Sequence, residues 1–139
     1  MVGATVAHFK ILSRLGQGGM ATVWRAWDEL QQRTVALKLL SESLASSATA
    51  RQRFRREATT VAGLQHRAIA PVYEWGEADD HLFIVMALVE GETVAERIKR
   101  RLLPPAEAIH IATEAAHGLA YAHGRGVVHR DVTSRNVIV

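Results

Sequence analysis

Gly16-Gln17-Gly18-Gly19-Met20-Ala21-Thr22-Val23-Trp24-Arg25-Ala26-Trp27 is the stretch that decides the fold. Glycines let backbone N–H groups come close to an anion with no side chain in the way, so its first half is a candidate phosphate cradle. Its second half sets the architecture. A Rossmann loop must open a helix, whereas Ala21 to Trp27 is β-branched and aromatic and reads as a strand. The G-x-x-x-x-G-K-[ST] pattern of a P-loop is absent. Phe9 to Leu15 is strand-like as well, which makes the stretch a glycine hairpin between two strands.

Downstream, a polar turn from Asp28 to Gln32 precedes Thr34-Val35-Ala36-Leu37-Lys38-Leu39-Leu40, a strand by its alternation and β-branched content. A period of two sends Val35, Leu37 and Leu39 to one face and Ala36 and Lys38 to the other. A lysine there either snorkels to water or meets a partner. After a small-residue linker, Ser41 to Ala50, helical spacing places Phe54, Glu57, Val61 and Leu64 on one stripe. A carboxylate in an apolar stripe must reach water or find a cation, because burying it alone is costly. Lys38 is the obvious candidate.

Two further strands, Ile69 to Trp75 and His81 to Ala87, flank the turn formers Gly76-Glu77-Ala78-Asp79-Asp80 and read as an antiparallel pair. Thr93 to Arg101 forms a short helix with Thr93 as N-cap and Glu96 three residues on. The spacing predicts a longer helix from Pro105 to about His123, with Ile109, Ala112, Ala116, Leu119 and His123 on its inward stripe and Gly124 at its end. His110, His117 and Tyr121 share another face, but no neighbouring carboxylates complete a metal site there. Val127 and Val128 then lead into His129-Arg130-Asp131-Val132-Thr133-Ser134-Arg135-Asn136.

These motifs, in this order, resemble the protein kinases, and in wording the eukaryotic-like serine/threonine kinases of bacteria. The hairpin is similar to the family's G-x-G-x-x-G-x-V loop, with Gly16, Gly18 and Val23 in place and Ala21 where the third glycine usually stands. Thr34 to Leu40 resembles the Val-Ala-x-Lys strand, Glu57 the glutamate of the αC helix, Val85 to Gly91 the hinge, and His129 to Asn136 the H-R-D-x-x-x-x-N catalytic loop.

The resemblance implies an α+β fold: an N-lobe of five antiparallel strands plus the αC helix over residues 1–90, then the start of a C-lobe over residues 91–139. It implies ATP and Mg2+ as cofactors and a protein hydroxyl as acceptor. Lys38 and Glu57 would position the phosphates, Asp131 would take the hydroxyl proton and Asn136 would hold the metal. Leu15, Gly16, Gly18, Val23 and Ala36 would line the nucleotide with Met86 as gatekeeper, Ala87 and Val89 at the adenine edge and Ile138 beneath it. His129 would be structural and Arg130 would receive an activation-loop phosphate. Thr133 departs from the lysine that serine/threonine kinases usually carry there, which weakens neutralisation of the γ-phosphate. No Asp-Phe-Gly occurs in the chain, so the expectation is a fragment that stops short of the second metal-holding carboxylate and transfers phosphate poorly on its own. The alternative is a non-catalytic module that binds nucleotide or a partner protein.

Composition narrows the other classes. The 139 residues are 48% hydrophobic and contain no cysteine, which suits one core and a reducing cytoplasm without disulfides or thiolate metal sites. The longest apolar run, Leu82 to Val89, is too short to span a bilayer, and the N-terminus lacks a signal-peptide layout. A net charge of +3 invites a nucleic-acid reading. Its clusters, Arg51, Arg53, Arg55, Arg56 and Lys99, Arg100, Arg101, are interspersed with Glu57 and Glu96 and lack stacking aromatics. They read as solvated helix faces, with no nucleic-acid partner. Oligomeric state is not legible.

Overall fold

A computed structural model describes residues 1–129 and 132–139. Arg130 and Asp131, and with them the expected catalytic base, lie outside the described residues.

Six strands form one antiparallel sheet: β1 (Thr5–Val6), β2 (Phe9–Gln17), β3 (Ala21–Asp28), β4 (Arg33–Leu40), β5 (Val72–Ala78) and β6 (His81–Ala87). Their spatial order is β1-β2-β3-β4-β6-β5. The expected five strands are β2 to β6, and β1 extends the edge through Thr5 opposite Lys10 and Val6 opposite Phe9. Helix α1 (Ala48–Ala62) follows a short 3-10 turn at Glu42–Leu44 and packs on β5 and β6. Helices α2 (Val94–Lys99) and α3 (Pro105–Gly124) complete the chain. By its contacts the chain divides into two compact units, residues 1–64 with 71–88, and residues 65–70 with 89–139.

The first unit is built by strand alternation. Val35, Leu37 and Leu39 point to one face, where they bury with Phe9, Ile11, Ala26 and Val85. On the other face Ala21, Leu40, Leu82 and Ile84 meet Ala50, Phe54 and Ala58 of α1. The turn between β3 and β4 is closed by the buried Asp28, whose Oδ1 accepts from the N–H groups of Leu30 and Gln31, each at 3.0 Å.

One strand lies further along the chain than its composition suggests. β5 covers Val72–Ala78, not Ile69 to Trp75. Pro71 brings no N–H to a ladder, and Ile69 instead turns back to donate to the His66 carbonyl at 3.0 Å. At the other end Gly76 belongs to the strand because a Cβ there would sit 3.2 Å from the Phe83 ring, so its lack of a side chain makes room for the aromatic. The turn shrinks to Asp79 and Asp80, with φ of 50° and 65°, the left-handed geometry of a two-residue hairpin that Asp tolerates.

In the second unit, α3 docks on residues 65–70. The Tyr121 hydroxyl accepts from Gln65 N–H at 3.0 Å, Arg67 grips Glu114 at 3.0 and 3.1 Å, and a Cβ on Gly118 would lie 3.1 Å from that of Ala68. The inward face of α3 is therefore the one with buried Gly118 and Ala122 and half-buried Ile111 and Ala115. The expected stripe is on the other side: Ile109 is 68% exposed, and Ala112, Ala116 and His123 are exposed too. An alanine-rich helix has little contrast between its faces, so its periodicity cannot choose between them. The helix ends at Gly124, as expected, and the left-handed glycine of its Schellman cap is Gly126: Gly126 N–H donates to the His123 carbonyl and Val127 N–H to that of Ala122, both at 3.0 Å.

Candidate functional site

The register of three strands places Val23, Ala36, Lys38 and Met86 on one face, whereas Ala87 pairs with Val35 in the row that faces the other way. Val23 of β3 lies opposite Lys38 of β4, which lies opposite Ile84 of β6; the adjacent row runs Arg25, Ala36, Met86. Ala36 is buried, and Met86 packs partly against the apolar cluster beneath α1. Ala87 N–H donates to the Pro71 carbonyl at 2.9 Å, so the group this residue can offer a ligand is its carbonyl. The hairpin between β2 and β3 is tied by a bond from Gly18 N–H to the Ala21 carbonyl, 2.9 Å. Gly16, opposite Val23, is exposed, and Leu15 beside it sits in a bulge of the β2 ladder with 49% of its surface exposed.

Lys38 Nζ donates to Glu57 Oε1 at 2.7 Å. Glu57 is not buried in the stripe of α1. The buried residues are Ala50, Phe54 and Ala58, and Glu57 flanks them with its side chain 49% exposed. This removes the desolvation problem posed by its sequence position, because the carboxylate keeps contact with water while it meets a cation.

A second ion cluster ties α1 to the sheet. Arg51 and Arg55 both reach the carboxylate of Glu77 on β5, Arg55 Nη2 at 3.0 Å from Oε2 and Arg51 Nη2 at Oε1. Arg51 Nη1 also donates to the Ala45 carbonyl at 3.2 Å. Hydrogen bonds from Arg55 and then Arg51 hold the Glu77 carboxyl below its ordinary value of 4.5. The sequence does not announce this cluster. Its arginines read as a solvated helix face, and its acid lies in a segment that reads as a turn. The only available signal was the spacing of Arg51 and Arg55, one helical turn apart.

In the second unit, residues 134–139 are clipped along residues 92–95. Val94 N–H donates to the Val137 carbonyl, Ala95 to Ser134 and Val139 to Glu92, each at 2.9 Å, and Thr93 bridges Ile138. The capping box is formed: the Thr93 hydroxyl accepts from Glu96 N–H at 3.1 Å and the Glu96 carboxylate from Thr93 N–H at 3.3 Å. Asn136 sits in the turn that leads out of Thr133, its N–H donating to the Thr133 carbonyl at 3.0 Å. Ile138 and Val89 are 41% and 42% exposed. Among the described residues, three or more His, Cys, Asp or Glu side chains do not converge as they would to hold a metal ion.

A profile of the protein kinase domain matches residues 9–139. The chain belongs to that family. It is 36% identical over 138 residues to the serine/threonine-protein kinase PknE of Mycobacterium tuberculosis, an alignment that covers 99% of this chain and 24% of that protein. With PrkC of Bacillus subtilis, another serine/threonine-protein kinase, the identity is 38% over 141 residues, covering 22% of it. Its fold is similar to the solved M. tuberculosis PknI kinase domain, with a TM-score of 0.81, 35% identity and coverage of 99% of this chain and 56% of that one. The chain thus spans about a quarter of the length of these curated relatives and a little over half of a solved kinase domain. The kinase N-lobe sheet and its helix are present in this protein kinase chain. Among its described residues no helix is long and apolar enough to cross a membrane.

Proposed function

We propose that this chain is the nucleotide-binding part of an ATP-dependent serine/threonine protein kinase whose parent transfers the γ-phosphate of Mg-ATP to a protein hydroxyl in the cytoplasm. Residues 1–90 are read as the N-lobe and hinge, and residues 91–139 as the beginning of the C-lobe. The observation that carries the reading is the Lys38–Glu57 ion pair, joining a sheet strand to the helix α1 packed on that sheet.

The residues fit a nucleotide in kind. Lys38 is a cation held in place by an acid, with its side chain 26% exposed, so it can meet phosphate oxygens without first paying to become ordered. Gly16 and Gly18 present backbone with no side chain, and the small Ala36, with Val23 and Met86 on the same face, suits a flat base. Leu15 and Ala87 complete the lining proposed for the first unit, and Val89 and Ile138 are the nucleotide contacts proposed for the second. Asn136 is the metal ligand proposed in this chain. Its amide oxygen suits a hard cation, which usually takes one or two protein oxygens together with substrate phosphates. Bound there, Mg2+ would neutralise charge on the phosphates. Asp131 is assigned the proton of the attacking hydroxyl, and Thr133 offers a hydroxyl where a lysine would offer charge.

The second reading, a module that binds nucleotide or protein without catalysis, draws on Thr133 standing where a lysine would neutralise the γ-phosphate. Incubation with radiolabelled Mg-ATP and a protein acceptor separates the two. Labelling that disappears in Lys38→Met supports the kinase. A nucleotide-induced rise in melting temperature without any labelling supports the module for this chain. Neither labelling nor a shift contradicts both.

A further inference from the structure

Helix α1 rests on the sheet through Ala50, Phe54 and Ala58. Apolar packing is non-directional: it fixes the distance of a helix from a sheet better than its rotation. At 100° per residue, Glu57 falls on one flank of that strip, and Arg51 and Arg55 fall on the other. Each flank is tethered to a different strand, Glu57 to Lys38 on β4 and the arginines to Glu77 on β5. A roll that lifts Glu57 from Lys38 must therefore disturb the contacts of Glu77, with the apolar strip as the fulcrum.

From this we infer that Glu77 is a positioning residue for the Lys38–Glu57 pair: through Arg51 and Arg55 it fixes the rotation of α1 at which Glu57 meets Lys38. The inference rests on reading that pair as the holder of the nucleotide phosphates, but its geometry can be read without nucleotide. The bond from Arg51 to the Ala45 carbonyl extends the tether to the segment that leads into the helix.

The test is the rate at which sulfo-N-hydroxysuccinimide acetate acylates Lys38 in the full chain, followed by mass spectrometry and divided by the rate at exposed Lys10. A lysine released from its carboxylate is more readily acylated. Exposed ion pairs are weak, so Glu77→Gln is expected to raise the Lys38 to Lys10 ratio roughly two- to fivefold, toward that of Glu57→Gln. The charge exchange Arg51→Glu, Arg55→Glu, Glu77→Arg is expected to bring it back. Should Glu77→Gln fail to fold, Arg55→Gln removes one arm of the same tether and is expected to give a smaller rise. An unchanged ratio, a rise shared by all lysines, no recovery on charge exchange, or a Glu57→Gln variant that labels like the parent each overturns the inference. If the parent shows no nucleotide-dependent melting shift, the phosphate reading fails while the labelling ratio still reports on the tether.

Discussion

Lys38 on β4 and Glu57 on α1 meet at 2.7 Å, with side chains 26% and 49% exposed. The pair is wet enough that its value to folding is small, which separates its contribution to stability from its contribution to binding. A double-mutant cycle with Lys38→Met and Glu57→Gln in urea denaturation is expected to give a coupling energy of about 0.2–1 kcal/mol. A coupling of several kcal/mol would mean that the pair is a structural staple.

Phe54 carries far more of the fold. It is 2% exposed and fills the space between α1 and the sheet beside Leu40, Leu82 and Ile84. Phe54→Ala should cost about 3–5 kcal/mol, enough to unfold the first unit under mild denaturant. The fall in urea midpoint measures it. A loss below about 1 kcal/mol would show that α1 is not anchored there.

Gly91 has φ of 148°, and a Cβ at that position would lie 2.6 Å from the Val139 carbonyl oxygen. The obstruction is backbone, so it cannot swing aside. Gly91→Ala should cost about 1–3 kcal/mol and loosen the clip of residues 134–139 on residues 92–95. Faster hydrogen exchange at the Val94 and Val139 amides reports it, and unchanged protection would count against the geometry.

Acid should weaken the Glu77 tether. The Glu77 carboxyl is held below its ordinary value by Arg55 and Arg51, so its folded pKa is lower than its unfolded one. A depressed carboxylate adds stability above its unfolded pKa and loses it as pH falls through the folded value. The gap in melting temperature between the parent and Glu77→Gln should therefore be constant near neutrality and close as pH falls below 4.5. A gap that persists at the acid end would assign the effect of the substitution to something other than charge.

Much of the first unit was legible because its signals are local. Alternation from Thr34 to Leu40, the glycine hairpin and the strand His81–Ala87 each depend on neighbours within a few residues. The partnership of Lys38 with Glu57 could be read because a carboxylate beside an apolar stripe requires an answer. Where the reading failed, the deciding contact was distant or the pattern was flat. Gly76 reads as a turn until the Phe83 ring is placed against it, and Arg51 and Arg55 read as solvated until Glu77 is brought to them. On α3, alanines on every side left the inward face to be chosen by Ala68, Gln65 and Arg67, which no periodicity within the helix can foretell.

Lys38, set by Glu57, is proposed to hold a nucleotide. Differential scanning fluorimetry of the parent and Lys38→Met, each with and without saturating Mg-ATP, tests it most directly. A ligand at about a hundredfold its Kd adds about 2.7 kcal/mol to the folded state. The account predicts a clear rise in melting temperature for the parent and none for Lys38→Met, with the two proteins melting alike in the absence of nucleotide. Equal rises in both would contradict it.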